Sequence, residues 1–105
     1  MTVKHTFFVG LNDKVSHVQE IPTLAASKIV QNVFLKHSCD GATITSGKGI
    51  YKHENGEVVA EETIIVQVFE FGEPIDVKDI CEDLKAVLNQ ESVAVETTET
   101  MSALY

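Results

Sequence analysis

The sequence predicts one α+β domain in the order β-α-β-β-α-β, with an antiparallel sheet and both helices on one of its faces. Three observations lead to this prediction. Two segments carry apolar residues at helical spacing, four other segments are rich in branched and aromatic residues, and an Asn-Gly turn separates the two middle strands. A chain of 105 residues has room for a single domain, here residues 1–105.

The first half of the chain predicts a strand and then a helix. Residues Thr6–Leu11 (TFFVGL) combine aromatic and branched side chains, as strands do. A polar turn and a loop lead to Pro22, after which Thr23 is a candidate helix N-cap. The apolar stripe of this helix consists of Ala26, Ile29, Val30, Val33 and Phe34, which recur at steps of three and four.

The middle of the chain predicts a β-hairpin. Its first strand covers residues 42–53, where Gly47 and Gly49 indicate either a β-bulge or a close backbone approach. Asn55-Gly56 accepts the positive φ angles that tight hairpin turns require. The return strand, residues 57–71, contains the most apolar run of the chain.

The last third predicts a second helix and a final strand. The helix runs from about Asp76 to Leu88, and Cys81 on its apolar stripe is interpreted as a small core residue. The final strand covers residues 92–97, and the tail, residues 98–105, is expected to form an edge strand or a subunit contact. Two crossover helices on one sheet are typical of the ferredoxin-like fold.

Both faces of the predicted sheet carry large apolar side chains. Ile64, Val66 and Val68 share one face, and the opposite face carries four others, namely Phe8, Ile65, Phe69 and Phe71. Monomers rarely expose such a patch. We therefore expect these four residues to be covered by a second copy of the chain in a homodimer or higher oligomer, or by the tail.

Charge and composition exclude several classes of partner. The chain has 16 acidic residues, eight lysines and no arginine, for a net charge of −8, so we expect no nucleic-acid partner. No apolar run is long enough to cross a membrane, and no signal peptide is evident. The two cysteines and four histidines lack metal-ligand spacing, so we expect no metal and no cofactor. A cytoplasmic protein, in the host cytoplasm if phage-encoded, fits this composition.

Few residues suggest chemistry. Lys48, within Ser46–Gly49, is a candidate anion contact, although the phosphate-loop spacing is incomplete. Either Glu61 or Glu62 is expected to face inward on its strand, and a desolvated Glu62 or His53 is a candidate acid or base. The alternative for these glutamates is an exposed edge position. Gln90 and Ser92, at the polar junction before the last strand, either cap backbone groups or line a pocket.

Three stretches resemble an uncharacterised family of small bacterial and phage-associated proteins with a ferredoxin-like fold. They are TFFVGLND, GKGIYKHENGEVVAEET and LNQESVAV. The matching positions are Phe7, Phe8, Gly10, Gly49, Tyr51, Gly56, Glu62, Gln90, Ser92 and Val93. This chain has Tyr51 where that family often has Trp, and Val9 within its FFVGL. No activity is established for the family, so the resemblance implies the fold and adds Tyr51 to the candidate ligand-binding residues.

Three functional hypotheses follow. The first is an acidic, oligomeric binding module that holds or sequesters a small polar ligand or a partner protein through Lys48, Tyr51, Glu62, Gln90 and Ser92. The second is a cofactor-free enzyme with a pocket carboxylate as acid or base. The third is an acidic inhibitor or adaptor of a basic partner protein. The absence of an evident catalytic constellation favours the first.

Overall fold

The computed structural model, which describes residues 2–105, has four strands and two helices in the predicted order. The elements are β1 (Thr2–Gly10), α1 (Thr23–Lys36), β2 (Thr43–Lys52), β3 (Val58–Glu70), α2 (Val77–Leu88) and β4 (Ala94–Thr100). The strands form one sheet in the order β2-β3-β1-β4, and every neighbouring pair is antiparallel. This arrangement confirms the predicted ferredoxin-like α+β fold.

The core lies between the two helices and one face of the sheet. The strands contribute the fully buried Phe7, Val9, Ile64 and Val66, and the helices contribute Val30, Phe34, Ile80 and Leu84. The ring of Phe34 meets Phe7 edge to face, with centroids 4.9 Å apart. The strand alternation predicted from the sequence is confirmed, because Ile64, Val66 and Val68 are buried beneath the helices while Gln67 and Phe69 are exposed.

Several predicted boundaries differ from the structure, most of all the start of β1 and the end of β4. β1 begins at Thr2 and β4 reaches Thr100, because the two strands pair in antiparallel fashion as far as Thr2 and Thr100. The residues at these two strand ends are not strongly apolar, so the sequence pattern did not predict them as parts of these strands. The first part of the predicted tail is therefore an edge strand. Helix α1 starts at Thr23 itself, so Pro22, rather than Thr23, occupies the N-cap position, and no side chain caps this end.

Neither glycine of β2 marks a bulge, and Gly49 marks a close approach. Pairing with β3 is unbroken from Thr43 opposite Gln67 to Lys52 opposite Val58. A Cβ atom at Gly49 would lie 2.9 Å from Oγ1 of Thr63, so glycine makes room for a side chain of the neighbouring strand. At the hairpin turn Gly56 has a φ angle of +90°, as the Asn-Gly pair predicts.

Ionic contacts join elements across the helical layer. Nε2 of His37 lies 2.6 Å from Oδ2 of Asp83, and Nζ of Lys36 lies 3.2 Å from the same oxygen. The hydrogen bonds from His37 and Lys36 lower the pKa of Asp83. Glu70 accepts a hydrogen bond from the backbone N–H of Ile75, which is the main reason that its pKa is also lowered.

We expect the free energy of unfolding to decrease in acid. A carboxyl group whose pKa is lower in the folded than in the unfolded chain stabilises the fold fully above the unfolded value of about 4. This contribution is lost as the pH falls through the lowered folded-state value. Urea unfolding at about pH 6 and about pH 3 measures the loss, which should be smaller in Glu70→Gln. Equal pH dependence of Glu70→Gln and the wild type would contradict this assignment.

Candidate functional site

One cleft lies on the open face of the sheet, the face that carries no helix. Its volume is about 500 Å³. It is built where β1 ends and where β3 and β4 begin, below the loop that follows β1 and beside the β2–β3 hairpin. Its lining consists of Phe8, Gly10, Asn12, Asp13, Lys14, His17, Tyr51, His53, Glu61, Thr63, Gln90, Glu91, Ser92 and Ala94.

The carboxylate of Glu61 lies directly against the backbone of β1. Oε2 of Glu61 accepts a hydrogen bond of 3.0 Å from the backbone N–H of Asn12. A Cβ atom built on Gly10 would lie 2.5 Å from Oε1 and 2.7 Å from Oε2 of this carboxylate. The carboxylate therefore occupies the space that a side chain at position 10 would need.

The junction between α2 and β4 holds the loop that follows β1. The buried Gln90 donates from Nε2 to the carbonyl of Asn12 at 2.8 Å and to the carbonyl of Leu88 at 3.3 Å. Asn89, in the left-handed conformation with φ of 49°, donates from Nδ2 to Oδ1 of Asp13 at 2.7 Å. This bond from Asn89, with the backbone N–H groups of Ser16 and Val15, lowers the pKa of Asp13.

Aromatic rings and acidic side chains set the character of the cleft. Tyr51 and His53 meet edge to face with centroids 5.1 Å apart, and Phe8 lies on the same open face. Histidines aside, the lining contains three carboxylates and one cationic side chain, those of Asp13, Glu61 and Glu91 and that of Lys14. The lining thus favours a ligand that combines a flat apolar part with positive charge.

A wider groove continues from the cleft towards the tip of the hairpin. It has a volume of about 960 Å³ and shares Asn12, His17, Tyr51 and His53 with the cleft. His17 has a positive φ angle of 64° in the loop that forms one wall.

The structure brings some of the predicted ligand-binding residues together and separates others. Tyr51, Gln90 and Ser92 all line the cleft, as does the candidate acid or base His53. Lys48 and Glu62 are direct cross-strand partners, and neither lines the cleft. Because strand side chains alternate, they share the face of the sheet that carries Ile64. Their proposed roles in binding stay predictions, but this cleft is not where they lie.

Sequence reasoning did not assign Asn12 or Gly10 to a site, although Gly10 matched the family resemblance, and it chose Glu62 over Glu61 as the candidate acid or base. The signal for Glu61 was present in the alternation of β3. Ile64, Val66 and Val68 define the buried face, so counting back by twos assigns Glu62 to that face and Glu61 to the open one. No pattern in the sequence predicts that the backbone of Gly10 and Asn12 contacts the carboxylate of Glu61.

Within residues 2–105, no helix is long and apolar enough to cross a membrane. In the same part of the chain, no three His, Cys, Asp or Glu side chains are grouped as ligands of a metal ion would be. The two cysteines found there, Cys39 and Cys81, are both free thiols, and burial raises the pKa of each.

Two solved structures share this fold. A phage SAM lyase in complex with S-methyl-5′-thioadenosine aligns with a TM-score of 0.73 and 21% sequence identity, over 93% of this chain and 81% of that chain. A phage SAM lyase in the apo state aligns with a TM-score of 0.66, also at 21% identity, over 91% of this chain and 78% of that chain. No protein-family model and no curated protein sequence matches this chain. The two likenesses show a shared fold.

Proposed function

We propose that this chain binds S-adenosylmethionine (SAM) in the open-face cleft and cleaves it to S-methyl-5′-thioadenosine. The observation that carries the proposal is the likeness of fold, over 93% of the chain, to a phage SAM lyase that holds S-methyl-5′-thioadenosine. The proposal combines two of the three hypotheses from the sequence, the module that binds a small ligand and the cofactor-free enzyme.

The chemistry of the cleft supports this substrate. Its volume of about 500 Å³ is within the range of roughly 300–1,000 Å³ usual for small-molecule sites. Tyr51 and Phe8 offer aromatic surface for the adenine ring. The sulfonium and the α-amino group of SAM are both positively charged, and the carboxylate of Glu61 lies within the lining to attract them.

The proposed reaction breaks the bond between the sulfonium sulfur and the γ-carbon of the aminocarboxypropyl group. Both electrons of that bond remain on sulfur, which becomes the neutral thioether of S-methyl-5′-thioadenosine. The γ-carbon then forms a new bond within the substrate. In one route the carboxylate oxygen of the same substrate molecule attacks the γ-carbon, which gives a lactone. In the other a base removes a proton from the β-carbon, and a double bond forms between the β- and γ-carbons. Neither route needs a metal or a second substrate.

The test is to incubate the purified protein with SAM and separate the products by chromatography against an S-methyl-5′-thioadenosine standard. We expect this thioether to accumulate well above the spontaneous rate, with a lactone or an alkenyl amino acid in equal amount. Calorimetric titration with S-methyl-5′-thioadenosine measures binding separately. Binding without turnover would reject the lyase and leave a sequestering module, and absence of both would reject the proposal.

The uncovered part of the open face supports a contact between copies of the chain. Phe69 and Phe71 are 43% and 47% exposed, and their rings stack with centroids 5.5 Å apart, whereas Phe8, which the sequence also placed in this contact, lines the open-face cleft. The two phenylalanine rings line an apolar cleft of about 530 Å³ at the end of the sheet away from Tyr51, which Leu104 of the tail also lines. Leu104 is 81% exposed, so the tail of the same chain leaves this face open. We propose that a second copy covers it.

We expect light scattering to report a mass greater than that of one chain, 11.5 kDa, and Phe69→Lys to reduce it to that of one chain. A charged side chain at position 69 would be desolvated in the contact, at a cost that an apolar interface cannot offset. Leu24→Lys is the control, because Leu24 is 87% exposed but lies on helix α1. A wild-type mass of one chain would exclude the self-contact.

A further inference from the structure

We infer that Gly10 and Gln90 are positioning residues, which act by holding the carboxylate of Glu61 at one place in the cleft. The inference rests on the proposed function for its kinetic consequence but not for its structural content. Glu61 extends from β3 across to β1. Its carboxylate lies against the bare backbone of Gly10 and accepts from the N–H of Asn12, and Gln90 holds the backbone of Asn12 by donating to the carbonyl of that residue.

Gly10 acts through the absence of a side chain. All three atoms nearest to a Cβ at position 10 belong to the carboxyl group of Glu61, at 2.5–2.7 Å. These atoms are at the end of a flexible side chain, so an alanine displaces the carboxylate instead of disrupting the sheet. Gly10 does not have a positive φ angle, so its backbone conformation is open to alanine.

Gln90 does not bond the carboxylate of Glu61 directly and acts on it through Asn12. Its side chain is only 8% exposed, and its Nε2 group is engaged by the carbonyls of Asn12 and Leu88. The Asn12 residue whose carbonyl accepts from Gln90 donates its own N–H to Glu61. Gln90 thereby connects the α2–β4 junction to the carboxylate of Glu61, which corresponds to the backbone-capping alternative of the two that the sequence left open for this residue.

The test compares Gly10→Ala and Gln90→Met with Gly47→Ala. Gly47 also lies in the sheet, and a Cβ there would meet only Cδ1 of Ile65 at an ordinary 3.6 Å. The first readout is the NMR shift of the Asn12 amide proton, which reports its bond to Glu61. We expect it to move in Gly10→Ala and Gln90→Met and to stay unchanged in Gly47→Ala. An unchanged Asn12 amide in Gly10→Ala would overturn the inference, whatever the protein does to SAM.

The second readout is the rate of S-methyl-5′-thioadenosine formation. We expect Gly10→Ala to lower kcat by about 100-fold, as a misplacement of about 1 Å does in a positioned site, and Gln90→Met to lower it less. If Gly10 acts through Glu61, the double variant Gly10→Ala/Glu61→Gln is no slower than Glu61→Gln alone. Additive losses would show that Gly10 acts independently. A wild-type protein without turnover rejects the proposed function alone, since the amide shift still decides the positioning.

Discussion

Glu61→Gln is expected to lower kcat/KM for SAM cleavage by about 100-fold or more. The side chain keeps its size but loses its charge. A pair of unit charges about 4 Å apart interacts by roughly 4 kcal/mol at an effective dielectric constant of 20, and about 1.4 kcal/mol corresponds to tenfold. Loss of a positioned base costs a similar factor, about 10²–10⁴. The measurement is the initial rate of thioether formation across a range of SAM concentrations.

The neighbouring residue provides the matched control. Glu62 is one position along β3 and points to the opposite face, where Lys48 is its cross-strand partner. Glu62→Gln removes the same charge from the chain without changing the lining of the cleft, so we expect it to leave kcat/KM within about twofold of the wild type. If both variants lose activity equally, the overall charge matters and not the placement of Glu61. If only Glu62→Gln is inactive, the cleft described above is not the site.

Phe7→Ala is expected to reduce the free energy of unfolding by about 3–5 kcal/mol. Phe7 is completely buried, packs edge to face on Phe34, and lies on β1 between Val66 and Val95 of the flanking strands. Truncation removes the buried ring and leaves a cavity between sheet and helices. Urea unfolding followed by far-UV circular dichroism measures the change.

Phe8→Ala makes the comparison within one strand. Its ring is on the open face and 39% exposed, so we expect a loss of no more than about 1–2 kcal/mol, since less area leaves water. Equal losses at positions 7 and 8 would mean that a second copy of the chain buries the open face as fully as the helices bury the other one. In that case the loss from Phe8→Ala should depend on protein concentration.

Much of the fold follows from local patterns. The helical spacing of Val30 and Phe34, and of Ile80 and Leu84, predicts both helices, because an amphipathic stripe needs a surface to pack on. The Asn55-Gly56 turn predicts the hairpin, because glycine readily accepts the positive φ angle that Gly56 adopts there. The ends of β1 and β4 were missed, since pairing between Thr2 and Thr100 depends on a partner almost a hundred residues away.

The candidate site could be predicted only in part. Gln90 and Ser92 were chosen for their place at the polar junction before the last strand, and Tyr51 through the family resemblance; all three line the cleft at one end of the sheet. Glu61 was open to prediction from strand alternation, which places it opposite Glu62.

By itself the sequence determined the order of elements and which side chains of β3 share a face, because these properties depend on side chains a few positions apart, and its composition determined a net negative charge without arginine. The tertiary structure alone decided that Gly10, Asn12, Glu61 and Gln90 meet. Those contacts join backbone and side-chain atoms of β1, its following loop, β3 and the α2–β4 junction. Their geometry depends on sheet register and strand order, which act over distances in the chain that local spacing does not encode.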